Sequence, residues 1–292
     1  MSNQDNEKVF QKSNINWYPG HMKKTTKEIR ELMPVIDFVI EVLDGRVPYS
    51  SKINNAADII RNKPCLMVLT KKDLCDEVET KKWVDYYEKQ GNKVVFVDLK
   101  SHSDYKILLN KLDEIVKIVN QKRLDKGLKI KEPRGLVMGV PNSGKSTLIN
   151  VLAKKKIANT GNVPGFTKSL SWLKAGNFML LDSPGILWPK FDSETLALNL
   201  ASTSAIREEV VPIGDVSYHI LKLLNKYYPD KLYDRYGLKN LSDDTLKDYE
   251  TIAKKLNIIS VGNTFDLNKV YKFILNDVRV GNIKGITFDR RD

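Results

Sequence analysis

Histidine and cysteine are scarce in these 292 residues, with three of the first and two of the second. Cys65 and Cys75 cannot build a disulfide framework, and His21, His102 and His219 have no spacing that would hold a metal ion. Cys65 lies in the apolar run PCLMVLT and reads as a small core residue, whereas Cys75, in a polar stretch, reads as exposed. No apolar run approaches the roughly 20 residues that cross a bilayer. The first residues, MSNQDNEKVFQKSN, lack the apolar centre of a secretion signal and the Arg-rich, acid-poor character of an organelle transit sequence. The expectation is a cytoplasmic protein with no membrane role. Internal repeats and low-complexity segments are also missing.

Positive charge is abundant. Forty-eight Lys and Arg face 36 Asp and Glu, a net of +12. From Lys190 onward 16 basic residues meet 15 acidic ones, so the first 189 residues, with 32 basic against 21 acidic, hold almost all of the excess. A polyanionic partner such as RNA explains this, and so does a solvated Lys-rich surface. Charge alone does not choose between them.

Met22–Met33 has helical character that Pro34 ends. Five short runs rich in β-branched or aromatic residues then read as buried strands: Ile36–Leu43, Cys65–Leu69, Val94–Val97, Leu136–Val140 and Phe178–Leu181. Helical stretches at 54–62, 76–90, 103–119 and 145–153 separate them, with a charged, Pro-ended connection at 120–133. This alternation predicts an α/β fold with a mostly parallel sheet covered on both faces. Beyond Lys190 helical patterns replace the strands, at 194–207, 215–227, 243–256 and 266–278. The expected organisation is a tail at 1–13 without fixed structure, a nucleotide-binding domain at 14–190 and a smaller all-α domain at 191–292.

Gly139-Val-Pro-Asn-Ser-Gly144-Lys145-Ser146 matches G-x-x-x-x-G-K-[ST] between a strand and a helix, the context that motif requires. The loop from Pro141 through Asn142, Ser143 and Gly144 to Thr147 is placed to cradle phosphates at a helix N-terminus, the N–H donors beginning at Asn142. Lys145 would reach the β- and γ-phosphates and Ser146 would ligate Mg²⁺. Asp182-Ser-Pro-Gly185 ends a strand about 40 residues later. There Asp182 can hold Mg²⁺ through water and the Gly185 N–H can sense the γ-phosphate. Between them Val163-Pro-Gly-Phe-Thr167 offers the Thr167 hydroxyl, which would close on Mg²⁺ and the γ-phosphate. Thr70-Lys71-Lys72-Asp73 matches the base-reading N/T-K-x-D pattern. The Asp73 carboxylate can accept from guanine N1–H and N2–H₂, a donor pair adenine lacks, while the Lys71 stem lies over the base. GTP or GDP is therefore the expected nucleotide.

The base-reading motif precedes the phosphate loop, the reverse of ordinary small GTPases. A cyclically shifted chain can build the same sheet when the original termini lie close together. The order T-K-K-D, GVPNSGKST, PGFT and DSPG, preceded by Asn16-Trp-Tyr-Pro-Gly-His-Met22, resembles the circularly permuted P-loop GTPases. Within them it is most similar to the ribosome biogenesis GTPase A, or YlqF-type, group. Asp44-Gly-Arg-Val-Pro48 with Ser50-Ser51 resembles that group's D-A-R-x-P-x-S-S element, with Gly45 in place of Ala. LDSPGILWPKF and YPDKLYDRYGL fit as well, so the likeness spans nearly the whole chain. The group's second base-contacting loop would fall at Asp98-Leu99-Lys100-Ser101, where Leu99 replaces a small serine.

Ras-type enzymes place a water-orienting Gln just after D-x-x-G. Here Ile186 and Leu187 follow Gly185, and neither can do this. The resemblance implies His21 as the residue that orients or polarises water, and Asn142 as a ligand for K⁺ between the phosphates. It further implies a monomeric GTP-hydrolysing switch that assists a late step of large ribosomal subunit assembly. Such a switch contacts the precursor particle and rRNA through the helical domain and is stimulated by the subunit. Two rivals share the sequence: a GTP-gated RNA- or protein-binding module with little hydrolysis, and a P-loop kinase or ATPase.

Overall fold

The chain is described by a computed structural model covering residues 20–53, 56–60, 62–154, 171–185, 191, 193–207, 210–260 and 264–291. The expected tail, Thr167 with its loop, and Ile186 and Leu187 lie outside them. Six strands form one sheet: β1 (Phe38–Asp44), β2 (Cys65–Thr70), β3 (Lys93–Phe96), β4 (Arg134–Gly139), β5 (Ser171–Ala175) and β6 (Phe178–Asp182). Their order is β3-β2-β1-β4-β6-β5, and all pairs are parallel except β5 with β6. The chain winds outward from β1 to one edge, returns to β4 beside β1, and continues to the other edge. The crevice beyond the carboxyl ends of β1 and β4 is thus a topological switch point, where open α/β sheets bind ligands.

Apolar patterning explains the strands. All seven residues of β1 are buried, as befits a central strand covered on both faces. Five helices accompany the sheet: α1 (Gly20–Leu32), α2 (Ala56–Ile60), α3 (Glu77–Lys89), α4 (His102–Leu124) and α5 (Lys145–Ala153). The side chains of Asp76 and Ser101 cap α3 and α4 by accepting the Glu79 and Asp104 N–H groups. Helix α4 runs to Leu124, so the charged connection expected at 120–133 begins a turn later. Strand β5 was not expected. It is a short edge strand whose residues up to Lys174 are exposed or half-buried, so it lacks the apolar signature of its neighbours. Cys75 is buried, against expectation, and its Sγ donates to the Lys71 carbonyl at 3.0 Å. Cys65 is half-buried.

The remaining part holds α6 (Glu194–Ser202), α7 (Ile213–Tyr227), α8 (Pro229–Tyr236), α9 (Thr245–Lys255) and α10 (Leu267–Val280). Pro229 stands where α7 gives way to α8. It occupies the first turn of α8, where a missing N–H costs nothing, and Gly237 at φ 76° ends that helix. One two-residue pairing, β7 (Ile259–Ser260) with β8 (Thr264–Phe265), interrupts the all-α pattern. The helical core gathers Ile220, Leu224, Tyr236, Ile252 and Ile274, and it also takes in Val47 and Val140. Val140 belongs to the phosphate loop, so loop and helices share one apolar cluster.

After α10 the chain straps back across the sheet part. The Gly285 and Ile286 N–H groups donate to the Leu74 carbonyl, and Phe288 N–H donates to the Arg46 carbonyl at 2.7 Å. Asp289 sits in a buried polar knot. It accepts from Ser50 N–H (2.7 Å), Ser50 Oγ (2.6 Å) and Asn199 Nδ2 (2.8 Å), and His219 Nε2 donates to Asn199 Oδ1 at 2.7 Å. Burial, with Lys222 adding to it, pulls the His219 imidazole down to about 4. Below the unfolded value of about 6.5 the unfolded chain takes up a proton that native His219 resists. Its stability contribution is therefore present above pH 6.5 and is lost as pH falls toward 4. Urea titrations across this window should show the native chain losing up to about 3 kcal/mol relative to a His219→Gln variant. Parallel pH profiles for the two would remove His219 as the cause.

Candidate functional site

At the carboxyl end of β4 the backbone turns into α5 through positions that only particular residues tolerate. A Cβ on Gly139 would lie 2.3 Å from the Val42 carbonyl oxygen, and Gly144 caps α5 at φ 100°. Asn142 takes the left-handed conformation at φ 58°, which its short polar side chain permits. Thr70 Oγ1 donates to the Ser143 carbonyl at 2.6 Å, pinning the phosphate loop to the end of β2. The Lys145 ammonium is buried and donates to the Val140 carbonyl at 2.7 Å. Burial lowers its pKa to about 8, against the opposing pull of Asp182.

Asp182 closes the neighbouring strand. Burial raises its carboxyl to about 6 although Lys145 and the Ser183 N–H draw it down. Its Oδ1 is buried with no hydrogen-bond partner among the described residues. An orphaned carboxylate oxygen beside a buried ammonium, with the Ser146 hydroxyl in the first turn of α5, is a donor set suited to a hard, oxygen-ligated cation such as Mg²⁺. Ser183 Oγ donates to the Val137 carbonyl at 2.6 Å and anchors the turn. Gly185 lies against Pro141, where an added Cβ would sit 2.7 Å from backbone atoms.

Lys71 of the base-reading motif adopts φ 59°. Its ammonium donates to Asp44 Oδ2 and to the Asn142 carbonyl, each at 2.7 Å. That side chain spans from the base motif to the phosphate loop. Asp73 follows in a short 3₁₀ turn, its carboxylate 3.2 Å from Lys100 Nζ. Residues 98–101 form a turn closed by Ser101 N–H donating to the Asp98 carbonyl, and Leu99 packs on the core beneath it. The structure thus brings Thr70, Lys71, Asp73, Pro141, Asn142, Ser143, Gly144, Lys145, Ser146, Thr147, Asp182 and Gly185 to one end of the sheet. His21 falls in the first turn of α1, but its side chain is outside the described residues, as is Thr167.

Asp44 and Arg46 were read only as part of a motif, with no role. Asp44 ends β1, fully enclosed, and Arg46 grips it through Nε (3.0 Å) and Nη2 (2.8 Å). Burial alone would push the Asp44 carboxyl up, but Arg46 and Lys71 hold it well below the usual carboxylate range. Arg46 Nη1 donates onward to the Val278 carbonyl of α10 at 2.7 Å. The signal in the sequence was an acid and a base set at the end of a mostly apolar, fully buried strand, where each needs a partner. The phosphate loop has its own link to the helices, because Asn142 Nδ2 donates to the Ser204 carbonyl at 2.7 Å.

A family described as a 50S ribosome-binding GTPase matches residues 134–264. Ribosome biogenesis GTPase A of Bacillus cereus is 38% identical over 276 residues, spanning 94% of this chain and 93% of its own length. The protein of that name from Thermotoga maritima is 28% identical over 279 residues, 94% of each chain. Among solved structures, GNP-bound YlqF from T. maritima aligns with a TM-score of 0.65 at 26% identity, covering 91% of this chain and 98% of that one. Its GDP-bound form gives 0.64, covering 90% and 98%.

Replacing Asp44 with Asn keeps its volume and removes its charge, leaving Arg46 buried without a counterion. Urea unfolding should register a loss of about 3–5 kcal/mol, and GTP and GDP should both bind more weakly as Lys71 loses an anchor. Unchanged stability together with unchanged nucleotide affinity would deny Asp44 this part.

Proposed function

Because this chain belongs to the ribosome biogenesis GTPase A family, we propose that it is a GTP-hydrolysing switch for a late step of large ribosomal subunit assembly, binding the precursor particle with GTP and leaving after hydrolysis. The observation that carries the switch is the junction of the phosphate loop with the helical part. Val140 packs in the helical core and Asn142 holds the Ser204 carbonyl, so a change at the phosphates acts directly on the helices. Switches of this kind order their loops around the γ-phosphate and release them on hydrolysis.

In this reading Asp73 selects guanine and the Lys71 stem covers the base. The N–H groups of Asn142 to Thr147 and the Lys145 ammonium hold the β- and γ-phosphates. Lys145 must exchange its bond to the Val140 carbonyl for them. Ser146, Thr167 and Asp182 hold Mg²⁺, which spreads the charge that builds on the phosphates when bound. Gly185 senses the γ-phosphate. His21 orients the attacking water in place of the missing Gln, and Asn142 adds a K⁺ ligand through its side-chain oxygen. The chain works as a monomer in the cytoplasm, with residues 14–190 as the GTPase domain and 191–292 as the domain that meets rRNA. Among the described residues no helix is long and apolar enough to cross a membrane.

Hydrolysis of GTP should be slow alone and rise at least tenfold with purified large ribosomal subunits, more in potassium than in sodium, with ATP inert. His21→Ala should lower the stimulated rate while leaving GTP affinity within twofold. Hydrolysis indifferent to subunits would point to another partner, and equal use of ATP would reinstate the kinase or ATPase reading.

A further inference from the structure

The excess positive charge belongs to the sheet part, whereas the helical part is nearly neutral. The structure gathers some of that excess in one place. At the end of the sheet away from Gly139, where β2 and β3 begin, two adjoining cavities of about 630 and 560 Å³ share Asn62, Lys63, Pro64 and Lys122. Together they form a groove along the second half of α4. Six cations line it: Lys52, Lys63, Lys93, Lys122, Arg123 and Lys126.

The groove holds two acids, and neither offers free charge. Glu41 lies on its buried floor and accepts the Ile53 N–H at 3.0 Å, and Asp37 is already paired with Lys131 at 3.1 Å. Lys93 is matched by Glu114 at 3.2 Å. Lys63, Lys122 and Lys126 have no ion pair among the described residues. Lys122 and Lys126 are exposed, one turn apart across the end of α4, with half-buried Lys63 facing them across the groove. Like charges crowded without counterions repel one another, and each gains when an anion is shared. A run of such lysines beside a trough follows a phosphate backbone better than it fits one small anion, since lysine stems adapt to charges spaced along a strand.

Resting on the ribosomal-particle reading above, we propose that this groove at the foot of the sheet is an RNA-backbone contact, separate from the helical part and from the nucleotide site. The two RNA-facing surfaces would then lie on opposite sides of the nucleotide. The groove supplies salt-dependent affinity that is independent of sequence, and the helical part supplies the contact that changes with nucleotide state.

The test uses the full chain with Lys63→Gln/Lys122→Gln/Lys126→Gln, and Lys222→Gln/Lys226→Gln on α7 for comparison. Binding to large ribosomal subunits and to deproteinised rRNA is measured from 50 to 300 mM KCl. GTP affinity and intrinsic hydrolysis should match the native chain, since none of the three lysines touches that site. The groove variant should bind RNA at least tenfold more weakly at 100 mM KCl. Its slope of log affinity against log salt should be shallower by about 2, near 0.7–0.9 per lost phosphate contact. Native affinity and slope in the groove variant, with loss only in the α7 variant, would overturn the groove and leave the assembly reading standing. Loss of subunit binding with rRNA binding intact would give the groove to a ribosomal protein instead. A native chain that binds neither subunits nor rRNA would sink the groove and the assembly reading together.

Discussion

Asp44 sits at the end of a strand buried on both faces, where a carboxylate stays ionised only if its charge is met on the spot. Two cations meet it from different directions. Arg46 comes from the turn that follows and grips both oxygens, and Lys71 comes from the next strand's end. Each cation then spends a remaining donor elsewhere, Lys71 on the Asn142 carbonyl and Arg46 on the Val278 carbonyl. One carboxylate therefore fixes three distances at once: base motif to phosphate loop, base motif to strand end, and strand end to the last helix. The site's geometry depends on that charge more than on any apolar contact.

The same logic explains why the helices are not an appendage. Val140 and Val47 leave the sheet to pack among α6, α7 and α10, and Asn142 reaches the Ser204 carbonyl. A phosphate loop in most settings is surrounded by its own sheet and helix. Here two of its residues are sealed against the neighbouring part, so any shift of the loop must either move the helices or break buried contacts. Packed interiors deform in steps and not smoothly, which favours two arrangements over a continuum.

Much of this was legible beforehand. The strands β1, β2, β4 and β6 announce themselves by apolar runs, and the phosphate loop by a contiguous motif whose glycines the backbone demands. Strand β5 was hidden because an exposed edge strand has no apolar run to show. Helix α8 was hidden because Pro229 looks like a breaker until its place in the first turn is known. The strut from Arg46 was harder still. Its far partner is a main-chain carbonyl, as is the partner of Asn142, and any residue type can supply one. Side chains leave a trace in sequence, but a backbone acceptor 232 residues away leaves none. The motif containing Asp44 and Arg46 was visible, and its purpose was not.

The strap formed by residues after α10 has a consequence for how the protein is made. Synthesis runs from the N-terminus, so the base motif emerges early and β1 to β3 can pair long before residues 285–289 exist. Ser50, however, must wait 239 residues for Asp289, and the Leu74 carbonyl must wait for Gly285 and Ile286. Until those residues emerge, the turn holding Arg46 and the loop holding Asp73 lack these supports. Nascent chains that have not yet reached residues 285–289 thus carry an unfinished guanine pocket.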